Sequence, residues 1–516
     1  MGLLDTIIKS SANIAQKIKI RTQKPISHQR RTLKRLLRKA EITAFGCHYD
    51  FSNIVNSIDI IKAFQKNIPF HDYDSMHDQW WHRALAEEPN VTWPRKVKYF
   101  ALSSGTSGAP SKYLPMTREM IRSIRKASLK LFFSLSRYDL DPDFYKREML
   151  LVSGSTTLKG KGGYYVGDMS GINVAKTPFW LRKTSRPGKQ ITKIPDWNNR
   201  LEEIAKNAKD WNIGSISGIP SWIQLMIEKV VEYNHVNHIH EIWPNLQVFV
   251  HGGISMEPHR KSFETMIKRP MIYVDTYLAS EGFIAFQNRR ETNSMALLLN
   301  NGIFHEFIPF NNTNFDSEGN IIGKPSTLTV EEIKEGVEYA LVISTNAGAW
   351  RYLIGDTVRF TDTKKCELVI TGRTKHFLSV CGEHLSVGNM NQGIQQLQET
   401  LNTIVREFTV SAVKRQDYFT HKWYIGCEPM VDAETAASIL DARLKGINDD
   451  YATERTAVLK NIEVQIIAPQ IFYDFMRNKG KMGGQAKFPR VMKAELFAEW
   501  ELFVATENTK NTQLTH

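Results

Sequence analysis

Cysteine is scarce: the 516 residues include 4, Cys47, Cys366, Cys381 and Cys427. None forms a C-x-x-C pair, which argues against a disulfide framework or a zinc ribbon and points to free thiols in a reducing cytoplasm. Cys366 and Cys381 have no companions to complete a metal ligand set. Long apolar runs are also missing. No stretch of about eighteen apolar residues occurs, so no membrane span is expected. The N-terminus lacks the apolar h-region and cleavage site of a secretory signal, and a cytoplasmic location is the expectation. Several catalytic signatures are absent too. Gly108 stands four residues before Lys112, outside the G-x-x-x-x-G-K-[ST] pattern. Gly160-Lys161-Gly162-Gly163 lacks the Rossmann spacing, and without a G-x-S-x-G elbow a serine hydrolase is not expected. No internal repeat or low-complexity tract appears; only 506–516, polar and nearly free of apolar residues, reads as a disordered tail.

What is present is an ordinary globular composition, 42% hydrophobic and 23% charged, on a chain too long for one core. The net charge is +13, from 67 Lys and Arg against 54 Asp and Glu. Much of it is local. Lys17, Lys19, Arg21, Lys24, Arg30, Arg31, Lys34, Arg35, Arg38 and Lys39 fall in one stretch without an acid. That stretch reads as a patch for acidic lipid or nucleic acid, or as the solvated face of N-terminal helices. Leu33, Leu36 and Leu37 at helical spacing fit the second reading. Stacking aromatics are missing there, so a nucleic-acid partner is not expected, while weak contact with an acidic surface is. His235, His238 and His240 read as a loop before a strand rather than a zinc site.

Three segments carry chemistry. In Ser103-Ser104-Gly105-Thr106-Ser107-Gly108-Ala109-Pro110-Ser111-Lys112, glycines free backbone N–H groups to cradle an anion. Hydroxyls add donors and Lys112 adds a point charge, which is equipment for a nucleotide triphosphate. A strand at 97–102 leads in, and Thr117 can cap a helix over 118–131. The second segment is Asp275-Thr276-Tyr277-Leu278-Ala279-Ser280-Glu281-Gly282, expected at the end of a strand over 271–274. There Tyr277 can lie against adenine, Ser280 can bond a phosphate oxygen and Glu281 can hold Mg²⁺. The third, 350–359, presents Gly355-Asp356 as a turn between apolar strands, and Asp356 can accept both ribose hydroxyls. Farther on, Lys487 follows Gly483-Gly484-Gln485-Ala486, a loop able to swing a charged arm into a distant site.

In this order the segments resemble the nucleotide motifs of the auxin-responsive (Gretchen Hagen) family of acyl acid–amido synthetases, within the acyl-adenylate-forming superfamily. The resemblance runs from about residue 45 to 492. It includes Val248–Ile254, similar to the family's strand and Gly252-Gly253 turn beside the adenine. Leu353 departs from the arginine of many members, with Arg351 two residues earlier as the compensating candidate. The resemblance implies an α/β fold: a large multi-layer N-terminal adenylate-forming domain, residues 1–372, and a small mobile α+β C-terminal domain, residues 373–516. The hinge would lie near 373–376 and include Arg373. Strands are expected at 368–370, 407–413, 423–428 and 462–468, and a helix at 433–445.

The implied cofactors are ATP and Mg²⁺, the latter on Glu281. The implied nucleotide-binding set is Ser103, Ser104, Gly105, Thr106, Ser107, Gly108, Lys112, Gly252, Gly253, Thr276, Tyr277, Ser280, Asp356 and Arg373. Lys487 and Glu281 would be catalytic, with Lys487 meeting the substrate carboxylate and the α-phosphate. The partners would be a small carboxylic acid and an amino acid or other amine. Position alone suggests Arg122, Arg125 and Trp222 for the acyl-acid pocket, Trp180 and Trp211 adding aromatic character. The glycine run at 160–163 would be a mobile loop on the substrate side. An acyl-CoA ligase and a non-catalytic basic binding protein remain the alternatives.

Overall fold

Leu33, Leu36, Leu37 and Ala40 recur on one face of helix Pro25–Ala40 and are buried, while its cationic residues point outward. Gln29 docks that helix: its Nε2 donates to Leu299 O (2.7 Å) and Ile303 O (3.2 Å), and its Oε1 accepts from His305 N (2.7 Å). The computed structural model describes residues 24–103, 112–177, 182–316, 319–375, 378, 383, 385–414, 419–456, 459–480, 487–492 and 494–514.

The strand on which Gln29 rests, Ile303–Pro309, opens an 11-stranded mixed sheet. From that edge the order continues through Glu338–Thr345, Tyr352–Asp362, Glu367–Arg373, Met295–Leu297, Gly282–Phe286 and Ile272–Ala279. It ends with Val248–Gly252, Ile213–Gly218, Glu148–Leu151 and Ser185–Arg186. Pairing is antiparallel up to Ile272–Ala279 and parallel beyond it. The change of direction therefore falls on the strand carrying Thr276 and Tyr277.

A smaller 4-stranded sheet contains the hairpin Tyr99–Ser103 and Lys112–Met116, with Ser103 opposite Lys112. The hydroxyl- and glycine-rich loop is thus the connection of a hairpin, and Ser104, Gly105, Thr106, Ser107 and Gly108 lie outside the described residues. Thr117 caps the next helix as expected, accepting from Met120 N at 3.1 Å, and the helix runs Arg118–Ser134. After residue 385 the chain builds a 3-stranded sheet, Ile404–Lys414, Phe419–Glu428 and Leu459–Ile467. Helices Val387–Leu401, Ala433–Ile447, Pro469–Asn478 and Ala494–Leu514 pack on it around cores of their own.

Four expectations are corrected. The second motif lies largely within a strand: Ile272–Ala279 continues through Tyr277, and only Ser280-Glu281 form the turn. β-branched and aromatic residues at 272–277 carry the strand past the point where Asp275 suggested an end. Gly355-Asp356 is a bulge inside strand Tyr352–Asp362, not a turn between strands. Gly355 takes φ 84°, a left-handed conformation open to glycine, and the pairing register shifts there. The tail at 506–514 is helical, because Phe497, Trp500 and Val504 seat the helix and no Gly or Pro stops it. The glycine run at 160–163 is the tip of a short hairpin fixed by Gly163 N donating to Glu87 Oε1 (2.7 Å), not a free loop.

Candidate active site

Tyr277 and Asp356 lie on strands separated by three others in the sheet order. Laid flat, that separation would be roughly 19 Å at one strand spacing of about 4.8 Å. Yet Tyr277 Oη donates to Asp356 Oδ2 at 2.5 Å. The antiparallel half must therefore curl, and the curl closes the site. Arg373, opposite Asp356 in the register, sets its Nε 3.1 Å from Oδ1 and donates through Nη2 to Ile354 O. Burial, and then the Asp356 charge, raises the Tyr277 phenol well above its ordinary range, so it stays a proton donor. With 4% of its surface exposed, Tyr277 is the floor of the site and offers little free ring face.

Glu281 stands half-buried on the two-residue turn after this strand. Burial first and the Asp356 carboxylate second push it up to about 7; Arg373 and Lys112 pull the other way. It lines a cleft of about 1510 Å³ together with Lys112, Tyr352, Gly355, Arg373 and Lys375. No cluster of three or more potential protein ligands for a metal occurs among the described residues. The chemistry nevertheless fits Mg²⁺, which binds through one or two carboxylates plus substrate phosphates and waters. A half-buried carboxylate that also feels the Asp356 charge is the electrostatic condition that a hard cation relieves.

Lys487 reaches across from the C-terminal unit. Its Nζ donates to Gly253 O at 2.6 Å. A Cβ on Gly253, which has φ 85°, would come within 3.3 Å of Lys487 Cε and Nζ. The side chain still meets solvent, while surrounding protein and then the Arg373 charge push its ammonium down to about 8. Beneath it Gly252 pairs in register with Thr276, and Thr276 Oγ1 donates to His251 O (2.7 Å). A Cβ on Gly252 would lie 2.4 Å from Thr276 O, so this is a tight joint between strands. Ser280 shares the turn with Glu281.

Other expected residues fall elsewhere. Arg122 is exposed, and Arg125 Nη2 donates to Lys176 O (2.7 Å). Trp222 is core, T-shaped against Trp197 at 5.2 Å, and Trp211 is likewise buried. None of these four lines the cleft; Trp222 is on the inward-turned apolar face of helix Pro220–Asn234. Trp180 lies outside the described residues. Arg351 does not stand in for the missing arginine. It is buried against Glu306 (3.1 Å) and donates to Gln65 O, Ile68 O and Thr327 Oγ1. His240 bonds Leu246 O and Lys268 N. Sequence reasoning missed Tyr352, whose phenol is raised by burial and then by Glu281, and the segment with Asp72 and Tyr73. His71 pairs as a bridge with Tyr352, which brings that segment to the cleft. The only signal available was the capping pattern of Asp72 and Ser75.

Sequence profiles of a single family cover most of the chain: the GH3 family N-terminal domain at 14–203, the GH3 family central domain at 296–373 and the GH3 family C-terminal domain at 389–495. The chain belongs to the GH3 family. Lys112 falls in the first GH3 match, Asp356 and Arg373 in the second and Lys487 in the third. Similar curated GH3 proteins include an indole-3-acetic acid-amido synthetase of Oryza sativa subsp. indica, 24% identical over 49% of this chain and 44% of that protein. The chain thus spans less than half of that relative's length. An indole-3-acetic acid-amido synthetase of Arabidopsis thaliana is 21% identical over 66% of this chain and 72% of its own. A jasmonoyl–L-amino acid synthetase of Nicotiana attenuata is 21% identical over 64% and 66%. Among solved structures, GH3.15 acyl acid amido synthetase aligns with a TM-score of 0.76 at 15% identity, covering 97% of this chain and 96% of that one. A 2-hydroxyisobutyryl-CoA ligase in the postadenylation state, in complex with R3-HIB-AMP, aligns with a TM-score of 0.59 at 13% identity over 94% and 91%. The fold is that of the adenylate-forming enzymes.

Proposed function

We propose that this protein is an ATP-dependent acyl acid–amido synthetase. The observation that carries the reading is Lys487, brought from the C-terminal unit to Gly253 beside Arg373 and Asp356. In the first half-reaction a carboxylate oxygen of the acid attacks the α-phosphorus of ATP. The bond from that phosphorus to the bridging oxygen breaks, giving acyl-adenylate and pyrophosphate. The step needs alignment and charge neutralisation more than covalent help. Lys487 offsets negative charge between carboxylate and α-phosphate. Asp356, oriented by Tyr277 and Arg373, accepts the ribose hydroxyls. The 103–112 loop and Lys112 hold the β- and γ-phosphates, with Ser280 beside them and Glu281 as the Mg²⁺ ligand. When bound, Mg²⁺ neutralises phosphate charge. In the second half-reaction an amine nitrogen, most simply that of an amino acid, attacks the acyl carbon. AMP leaves and the nitrogen gives its proton to solvent.

We assign residues 1–372 to a large domain and 373–516 to a small one that turns about 373–376 between the halves, keeping water from the adenylate. A cytoplasmic location fits the nucleotide requirement. The likeness of fold and the amido-synthetase names of the relatives support this reading. The test is pyrophosphate release with ATP and Mg²⁺ across a panel of carboxylic acids, with and without mixed amino acids. Acid-dependent release with an amide product is expected. Release coupled to CoA would transfer the protein to the acyl-CoA ligases, and absence of ATP binding by a folded protein would mark a binding protein instead.

A further inference from the structure

Helix Pro25–Ala40 sorts its residues by face. Gln29, Thr32, Leu33, Leu36, Leu37 and Ala40 are buried, whereas Arg30, Arg31, Lys34, Arg35, Arg38 and Lys39 are all exposed. At 100° per residue these cations sweep one continuous half of the helix. Among the described residues only Arg30 of the six is shown in an ion pair, with Asp59 at 3.5 Å. Nothing in the nucleotide chemistry uses this face.

Two further residues define what it fits. Ile58 and Ile42 are the most exposed large hydrophobic side chains among the described residues, at 105% and 73%. Ile58 precedes Asp59, the partner of Arg30, and so sits beside the N-terminal half of the helix. Ile42 follows Glu41, whose φ −51° and ψ −40° continue the helix. It therefore stands one turn beyond Arg38, on the cationic side. A cationic face flanked by free-standing aliphatic side chains matches an anionic bilayer surface, where phosphates meet the cations and isoleucines enter the acyl boundary. Nucleic acid would ask for stacking rings or donors aimed at bases, and this face carries neither.

We propose that the Pro25–Ala40 face, with Ile42 and Ile58, docks the protein reversibly on an anionic phospholipid surface. The orientation leaves the nucleotide cleft assembled, because the helix meets the sheet only through its opposite face. The test is co-sedimentation of the full chain with phosphatidylcholine vesicles holding about 30% phosphatidylserine and with pure phosphatidylcholine vesicles, at about 0.1 M and about 0.5 M salt. Binding to the anionic vesicles alone, weakened by salt, is expected. Arg31→Gln/Arg35→Gln/Arg38→Gln should lower it about tenfold or more. Ile42→Ser/Ile58→Ser should weaken it without removing its salt dependence. All substituted positions are exposed, and unchanged melting and pyrophosphate release would establish that both variants remain folded. Equal binding to neutral vesicles, unchanged binding by either variant, or tighter binding to an RNA stem or DNA duplex than to anionic vesicles would overturn the proposal.

Discussion

Lys487 is a cation held by a neutral acceptor. Its bond to Gly253 O costs little to exchange for an anionic substrate, and its ammonium, pushed down to about 8, is near the point of losing its charge. Activity that requires the charge is complete below that pKa and falls as pH rises through about 8. We expect adenylation to fall in this way, and Lys487→Arg, which stays protonated, to flatten the fall. Lys487→Ala should lower pyrophosphate release by about 10²–10³-fold, while amide formation from supplied acyl-adenylate is far less affected; stopped-flow measurement of each half-reaction separates them. At this scale the sequence was informative about type and poor about direction. Short motifs made the chemistry of Tyr277, Asp356, Glu281 and Lys487 legible; Tyr277 and Asp356 touch, and the Asp356 charge acts on both Glu281 and Lys487. Arg351 looked equally suitable two positions from the expected arginine, but its backbone takes φ 39° and its guanidinium is committed to Glu306 and backbone carbonyls. No spacing rule reveals such an orientation.

Elements hold these side chains in place. Gly355 makes the bulge that turns Asp356 toward Tyr277, and a Cβ there would stand 3.3 Å from Arg373 Nη2. Gly355→Ala should cost about 1–3 kcal/mol of stability, read by urea unfolding, and raise KM for ATP. Lys487 depends on the six-residue segment 487–492. Phe488 is seated against Phe472 and Trp500, and Arg490 O and Met492 N bond the Val410 backbone. Arg490 Nη1 donates to buried Glu407 (2.6 Å) and to Phe408 O (3.0 Å). Arg490→Lys keeps the charge and loses the planar fork. It should cut kcat for adenylation by up to about 10²-fold with little change in KM for ATP; a parallel change in KM would show that the segment affects nucleotide binding instead. The Arg118–Ser134 helix and the C-terminal strands were readable from caps and alternation. The strand through Asp275–Ala279 and the Gly355 bulge were misread for one reason: polar and glycine residues placed for function look like turn chemistry.

At the scale of the whole molecule, the site exists because distant sheet strands curl together and because the C-terminal unit lies against the large one. Besides Lys487, helix Glu257–Met266 packs against strand Ile404–Lys414 and helix Val387–Leu401, and polar contacts add to that packing. Arg406 pairs with Glu228, and Lys261 Nζ donates to Asn402 Oδ1 (2.8 Å) and Gln398 O (3.3 Å). Arg406→Ala should slow adenylation by up to about fivefold, the scale of a partly exposed ion pair, with melting nearly unchanged. Small-angle scattering at saturating ATP would register the accompanying shift toward separated units. The division into two units and the reach of Lys487 were expected from the motifs and the family resemblance, but the curl and the docking pairs were not legible, since they depend on residues far apart along the chain and not on local pattern. The Gln29 bonds carry that remoteness into the timing of synthesis. The carbonyl of Ile303 lies 274 residues downstream of the amide that seeks it. A ribosome adding 5–20 residues per second needs roughly 14–55 s to supply it. Throughout that interval the leucine-bearing side of the helix can settle only on the short helices that follow it, Phe51–Asn56 and Ile60–Asn67, and the part that belongs on the sheet edge stays uncovered, so chaperone dependence should be greatest before the middle of the chain has been translated.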